Sequence, residues 1–240
     1  MFNMRAHTLN PRPTAAQPPP EPAVQYATRA KLLEAAGQIF AEHGYHSATV
    51  REICLRAGAN VAAVNYYFGD KVALYTEVLR QSVGAAQNQA IHSALDQQGA
   101  PEKILRQVIK AMVRKIGGDP HSDRWFRLIV HELAQPTPAM SRVIDEAIRP
   151  IYHRLRQLVA AILNLPRDHE QTRLCTHSIV GQIVHYPHAR RILVRLWPEL
   201  TMTPEQLDRI ADHIADFSLS YLDSARRRQR ASAKRPSRRK

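Results

Sequence analysis

The stretch Thr49–Lys71, T-V-R-E-I-C-L-R-A-G-A-N-V-A-A-V-N-Y-Y-F-G-D-K, decides the fold. Thr49 followed by Glu52 is a capping box, so a helix is expected to start at Val50. Ile53, Cys54 and Ala57 give that helix one small apolar face. Gly58 stops it, because glycine accepts the left-handed backbone that closes a helix. Asn60 is a good N-cap for a second helix over roughly 61–68. Helix, short glycine-containing turn, helix: this spacing predicts a helix-turn-helix, whose second helix can lie in a DNA major groove.

The flanks agree. Upstream, Leu32, Leu33, Ala36, Ile39 and Phe40 recur at helical spacing, and Gly44 closes that helix. Downstream, Asp70 caps a further helix carrying Leu74, Val78 and Leu79. Within the second helix of the motif, Val64 and Phe68 are expected to point inward. Asn60, Val61, Ala62, Asn65, Tyr66 and Tyr67 remain as candidates for contacting DNA. Asn65 has the chemistry to pair bidentately with an adenine edge, and Val61 and Ala62 can touch a thymine methyl. Tyr66 and Tyr67 are each equally suited to the core.

Composition narrows the class. With 240 residues, 44% of them hydrophobic, the chain can bury one or two helical cores. Glycine is scarce, at nine residues, and no segment alternates in the manner of a strand, so an all-α fold is expected. No apolar run approaches the length of a membrane span. The Pro-rich start lacks the apolar core of a secretory signal, and Met4 offers an alternative start. Two cysteines, Cys54 and Cys175, in separate predicted helices suit a reducing cytoplasm. The net charge is +13, but residues 226–240 hold nine Arg and Lys and no acid, leaving +4 for residues 1–225. That basic end reads either as a flexible arm giving salt-dependent phosphate contacts or as a disordered solubilising end.

Taken in order, residues 1–25 read as a tail, since Pro11, Pro13, Pro18, Pro19, Pro20 and Pro22 favour extended polyproline. Lys71 to about Gln98 is expected as one long helix, with Leu74, Val78, Val83, Ala86, Ala90 and Leu95 on one side. Pro101 starts a helix to Ile116, and Gly117–Pro120 is a loop. The helix Ser122–Ala134 is apolar nearly all round and is expected to be buried. Pro138 starts a helix to about Leu163, which Pro150 should kink. Asp168 is expected to cap a helix from Glu170 to His185 that Tyr186-Pro187 interrupts; a short helix near residues 188–196 follows. The last helix is expected from Thr203-Pro204 to near Ala225.

Residues 28–80 resemble the N-terminal domain of the TetR/AcrR family of transcriptional regulators. The matching positions are Ala36, Phe40, Ala41, Gly44, Tyr45, Thr49, Ile53, Ala57-Gly58, Val64, Tyr66, Phe68, Lys71, Leu74 and Tyr75. The stretch Arg127–Pro150, with H-E-L-A-Q-P-T-P-A at 131–139, resembles the C-terminal domain of the CecR-like (YbiH-like) subgroup. The resemblance implies an all-α chain. A three-helix, homeodomain-like helix-turn-helix domain over 26–72 would precede a helical effector-binding and dimerisation domain over 73–225, with a basic tail over 226–240. It implies that Thr49, Tyr66 and Lys71 contact phosphates. At Asn65 the family often carries an aromatic, so the readout role of Asn65 rests on its chemistry alone.

By the same resemblance, the helices near 170–185 and 204–225 would form a four-helix dimer interface, with Ile179, Ile183, Ile210, Ile214 and Phe217 as its candidates. Two copies on a two-fold axis would read a palindromic operator in double-stranded DNA. The body would hold a small-molecule effector, and Met112, Trp125, Phe126, His131, Tyr152, His177, Gln182 and His185 supply the mixture of apolar and polar groups such pockets use. No cofactor is expected. His185-x-x-His188 has ligand-like spacing, but Pro187 intervenes and no cysteine or acid adjoins it, so no metal is expected. No phosphate loop, nucleophile elbow or His-Glu-x-x-His is present, and no catalytic residue is assigned. The reading is thus a bacterial, cytoplasmic, nucleoid-associated repressor that dimerises and answers a ligand. A regulator controlled by a protein partner or by no effector is the alternative, and a helical enzyme or ligand-storage protein a remote one.

Overall fold

Two hydrophobic cores set the architecture. The computed structural model describes residues 22–83, 88–118 and 122–233, and every regular element among them is helical. The head comprises α1 (Pro22–Ser47), α2 (Val50–Ala57), α3 (Val61–Phe68) and α4 (Lys71–Val83). The body follows with α5 (Gln89–Leu95), α6 (Pro101–Gly118), α7 (Ser122–Ala134), α8 (Pro138–Val143), a π-turn (Ile144–Ile148), α9 (Arg149–Leu163), α10 (Glu170–His188), α11 (Arg190–Leu196) and α12 (Pro204–Ala233).

The head core is the predicted stripe of α1 closed over Ile53, Val64, Leu74 and Tyr75, all fully buried. It does not stop at residue 72. Val78 and Leu79 of α4, Leu128 of α7, and Ala139 and Val143 of α8 belong to the same cluster. The body core is separate and is built from α5, α6, α9, α10 and α12. α12 runs antiparallel to α6. Asp208 pairs with Lys110 and Arg114, Asp212 and Asp216 with Arg106, and Arg226 with Glu102. Hydrogen bonds from Arg114 and Lys110 hold the exposed Asp208 carboxyl down at about 2.

Several expectations need correction, each for a local physical reason. α1 begins at Pro22 rather than after residue 25, because a first-turn proline needs no N–H partner. The predicted long helix is two elements, Lys71–Val83 and Gln89–Leu95, with Ala86 outside the described residues. Gly117 and Gly118 continue α6; Asp119 and Pro120 lie outside the described residues. α7 is not buried all round: Val130 is 46% and Leu133 80% exposed. Pro150 does not kink its helix alone. A π-turn precedes it, with Arg149 N–H donating to Ile144 O, and this wider turn accommodates the proline ring. His169, not Asp168, caps α10: its Nδ1 accepts from Gln171 N–H at 3.1 Å, while Asp168 pairs with Arg156 and Arg173. Pro187 sits in the last turn of α10 without ending it. α12 runs on to Ala233, so the basic end begins as helix; 234–240 lie outside the described residues.

The head is tied to the body by buried polar groups. Glu132 of α7, 6% exposed, accepts from Thr137 N–H at 2.9 Å and from Thr137 Oγ1–H at 2.7 Å. The fully buried Tyr75 hydroxyl of α4 has no hydrogen-bond partner; burial, then the nearby Glu132 carboxylate, pushes its pKa far up. Beside this knot, His131 Nε2 lies 3.3 Å from Ala41 O, and Arg124 pairs with Glu34 at 2.9 Å. Gly44 takes φ 74°, ψ 171°, and a Cβ there would stand 2.9 Å from His131 Nδ1. Glycine is therefore required at 44 twice over, by backbone angle and by space. Glu132→Ala should leave buried donors without an acceptor and cost about 3 kcal/mol. Thermal unfolding should show a midpoint lower by roughly 6–12 °C; an unchanged midpoint would remove Glu132 from this role.

Candidate DNA interface and effector cavity

The turn between α2 and α3 is built by its caps. Thr49 Oγ1 accepts from Glu52 N–H at 3.2 Å. The Glu52 carboxylate lies 3.5 Å from His43 Nε2 of α1. Gly58 closes α2 at φ 63°, ψ 34°, and Ala59 N–H donates to Cys54 O at 2.9 Å. Asn60 Oδ1 then accepts from Ala62 N–H at 3.0 Å, starting α3. Asp70 Oδ1 accepts from Ala73 N–H at 2.7 Å, starting α4. With Val64 fully buried, the opposite face of α3 presents Val61, Ala62, Asn65 and Tyr66 outward, Tyr66 at 67% exposure. Tyr67 turns the other way, half-buried against the head core and edge-on to Tyr66 at 4.9 Å. Of the two tyrosines, Tyr66 is the one available at the surface.

Asn60 and Thr49 are exposed but already serve as caps. Lys71 lies over the Tyr45 ring at 4.5 Å, with Nζ 3.5 Å from His46 O, and partial burial lowers its pKa. The structure thus brings Thr49, Asn60, Val61, Ala62, Asn65 and Tyr66 to the exterior of one motif and holds Lys71 at the α1–α2 corner. Arg51, exposed in the first turn of α2, is a further cation beside Thr49 that the sequence reading passed over. Its signal was a basic residue two positions after an N-cap, where the helix amides also favour an anion.

Below the head lies an apolar cavity of about 220 Å³. Its walls come from Ser82 of α4, Ile91 of α5, Met112, Lys115 and Ile116 of α6, Trp125 of α7, Ala147 and Ile148 of the π-turn, Ile151, Tyr152 and Leu155 of α9, and Val180, Val184 and His188 of α10, with Asn88 between α4 and α5. One cation and no acid line it. Trp125 and Ala147 also pack against the head core, so the two share a wall. The His188 ring lies against Phe126 at 5.2 Å, and burial pushes its pKa below the ordinary histidine value.

Of the eight expected pocket residues, Met112, Trp125 and Tyr152 line this cavity. Phe126 reaches it only through His188. The other four lie elsewhere. His131 faces the head, His177 lies 3.2 Å from the Tyr152 hydroxyl outside the lining, and His185 is exposed. Gln182 lines a separate open groove of about 390 Å³ between α10 and α12. Periodicity gave no means of separating one face of α10 from the other.

Of the five residues expected at an interface, four are buried within the protomer and Phe217 is exposed. Ile183, Ile210 and Ile214 are sealed in the protomer's own core, and Ile179, 2% exposed, forms the groove floor. Leu174, Phe217 and Tyr221, at 56%, 61% and 47% exposure, supply its apolar rim. The sequence reading did not single out Leu174 and Tyr221 as exposed neighbours of Phe217. The signal for Tyr221 was its i, i+4 spacing from Phe217, on the side of α12 away from Ile210 and Ile214. Among the described residues no group of three or more His, Cys, Asp or Glu is placed to hold a metal ion, and no helix is long and apolar enough to cross a membrane.

A helix-turn-helix head on a helical body with a cavity at their junction defines a class: the one-component DNA-binding regulators. The family model for bacterial regulatory proteins of the tetR family matches residues 32–78, and the model for the C-terminal domain of the HTH-type transcriptional dual regulator CecR matches residues 101–221. The chain belongs to the TetR family, with a C-terminal domain of the CecR type. It is 30% identical over 167 residues to CecR of Shigella flexneri, covering 65% of this chain and 74% of that protein. It is 30% identical over 131 residues to the transcriptional repressor AcnR of Corynebacterium glutamicum, covering 51% and 62%. The fold matches FadR of Bacillus subtilis, solved with stearoyl-CoA (TM-score 0.58, 17% identity, 80% of this chain and 97% of that one). It also matches PfmR of Thermus thermophilus (TM-score 0.56, 19% identity, 79% and 97%).

Asn65→Ala should lose discrimination at one base pair by about 1–3 kcal/mol, roughly ten- to hundred-fold, with helical content unchanged. Val64→Ala, in the buried layer, should instead destabilise the head by about 2 kcal/mol. Competition between duplexes differing at single base pairs, alongside circular-dichroism melts, separates the two effects; unaltered base preference in Asn65→Ala would exclude it from readout.

Proposed function

We propose that the chain is a homodimeric, cytoplasmic repressor that reads a palindromic operator through α3 and releases it when an apolar small molecule fills the cavity. One observation carries the reading: Trp125 and Ala147 belong at once to the cavity lining and to the packing around the head core. An occupant of the cavity therefore presses on the surface that fixes the head. Ser82, at the end of α4, extends the same wall toward the DNA-reading unit. The lining has a cation and no acid, which favours neutral or anionic apolar molecules over lipophilic cations. A fold neighbour solved with stearoyl-CoA agrees in chemical character.

Dimerisation rests on the groove between α10 and α12. A single helix-turn-helix reads few base pairs, and pairing two multiplies specificity. Leu174, Phe217 and Tyr221 are large apolar groups exposed side by side, and Gly181 on the outer side of α10 has open space around it. Two copies meeting here would cover a contiguous apolar face. Direct readout falls to Asn65 with Val61 and Ala62, while Thr49, Tyr66 and Lys71 set the register on phosphates.

Two substitutions test this. Phe217→Glu, at an exposed position, should leave the protomer folded, give a monomer in sedimentation velocity, and weaken operator binding at least about hundred-fold; an intact dimer would sink the interface. Val184→Phe should fill the cavity and leave operator affinity within about two-fold. It should also abolish both the fluorescence rise of 1-anilinonaphthalene-8-sulfonate and the release of DNA by that probe. Probe-driven release that persists in Val184→Phe would place the effector elsewhere.

A further inference from the structure

We propose that the cavity takes an apolar molecule bearing one carboxylate, that the Nε2–H of His188 donates to this group, and that Lys115 complements its charge. The inference rests on the reading above, that the cavity holds the effector, and names the effector's chemical class. Its basis is a polar atom left over at the cavity wall. His188 lines the cavity from the last turn of α10, and its Nε2 is buried with no hydrogen-bond partner in the protein. Buried polar atoms are ordinarily paired, because an unpaired one loses its hydration without compensation. A nitrogen in that condition on the wall of a cavity is a ready partner for a polar group that enters.

The neighbouring groups make His188 the specific one. Tyr152 also lines the cavity, but its hydroxyl lies 3.2 Å from His177 Nε2, outside the lining, so it offers the cavity mainly its ring. The His188 ring packs on Phe126 at 5.2 Å, so its direction is set before a ligand arrives and little ordering is left for binding. Lys115 stands in the last turn of α6. Both helix ends meet the first half of α7: Trp125 shares the lining with Lys115 and His188, and Asp123 pairs with Arg191, just beyond α10, at 2.7 Å. Lys115 and His188 thus belong to one end of the cavity. Met112, one turn back on α6, and Val184 and Val180, one and two turns back on α10, continue the wall as apolar surface. Ser82 and Asn88 enter from the α4–α5 side.

The chemistry of that end selects the head group. Burial disfavours the imidazolium, so the ring is neutral and carries one N–H, which either nitrogen can hold. With the proton on Nε2 it donates to a carboxylate oxygen, and a hydrogen bond to an ionised acceptor is stronger than one to a neutral hydroxyl. The lining adds the Lys115 cation and no acid, which favours an anion and opposes an ammonium. The apolar remainder of the wall takes the rest of the molecule.

Calorimetric titration of the full chain without DNA compares phenylacetate, phenethyl alcohol and phenethylamine, which share one apolar body and differ in head group. Wild type should bind the acid at least about ten-fold more tightly than the alcohol, and the amine most weakly. His188→Leu should bring acid and alcohol within about two-fold of each other. His188→Gln, whose amide N–H can stand near the Nε2 position, should recover most of the preference. A second measurement needs no folded leucine variant. Nitrogen-15 spectra of ring-labelled wild type, with His188 assigned by its loss in His188→Gln, should show the Nε2–H tautomer when phenylacetate is bound. A His188 ring unmoved by phenylacetate, or bound with Nε2 as acceptor, overturns the proposal. So do equal binding of acid and alcohol by wild type, tightest binding of the amine, no binding of any of the three, or an acid preference undiminished in His188→Leu. Phenylacetate that binds with this preference but leaves DNA complexes intact upholds the head-group assignment and counts against the switch alone. Acid binding at full strength in Val184→Phe places the site outside the cavity and overturns both.

Discussion

A carboxylate buried between head and body constrains everything else. Glu132 is out of water, and a buried carboxyl group is tolerable only with its oxygens satisfied. The satisfaction comes from the backbone and hydroxyl of Thr137, the last residue of the α7–α8 corner, and the buried Tyr75 hydroxyl of α4 lies near the acid without a hydrogen-bond partner. The α7–α8 corner is thereby fixed in one arrangement. The Tyr75 ring completes an aromatic cluster with Phe40 at 4.7 Å and Tyr45 at 5.0 Å, so the constraint runs on into α1. Lys71 lies on the far face of that cluster. Displacing α7 relative to α4 thus disturbs, through contiguous contacts, the helix that supports the DNA-reading turn.

The π-turn at 144–148 places a second constraint on the same junction. A regular helix would bring the Pro150 ring against the carbonyl of Glu146. The wider turn removes that clash and turns Ala147 and Ile148 into the cavity wall. It also sends Glu146 to Arg80 of α4, which shares Glu77 with Arg29 of α1. These exposed ion pairs are worth little as stability. Their interest is geometric: they connect the one irregular turn in the cavity to two helices of the head.

What the sequence disclosed and what it hid divide along one line. Caps are local, so Thr49, Gly58, Asn60 and Asp70 could be read from their neighbours, and the structure places each of them at a helix end. The head core could be read as well, because its stripe is amphipathic and short. Faces of the body helices could not. Ile179, Ile183, Ile210 and Ile214 follow helical spacing, but that spacing is the same for a residue facing its own bundle and one facing a partner. His131 shows the same limit: only the approach of α1, 90 residues away in sequence, makes it a neighbour of Ala41 rather than of a ligand. The terminal boundaries failed for a different reason. Proline at 22 and arginines from 226 were weighed as composition, whereas a first-turn proline and an ion-paired arginine are ordinary members of a helix.

The shared wall matters because of what a switch requires energetically. A ligand moves an equilibrium only by the difference in its affinity for the two states. Shifting a head from mostly competent to mostly incompetent, 99:1 to 1:99, needs about 5.5 kcal/mol of such difference. A cavity enclosed wholly by the body would bind its ligand equally well in both states and shift nothing. A wall that includes Trp125 and Ala147 cannot be indifferent, since any change in how the head seats on these residues changes the shape offered to the ligand. In the proposed switch the apolar lining would provide the affinity, and the hydrogen-bonded Glu132 corner would keep the displacement from dissipating locally. Coupling strength in this fold should therefore depend more on the few residues common to cavity and head than on how tightly the effector is held.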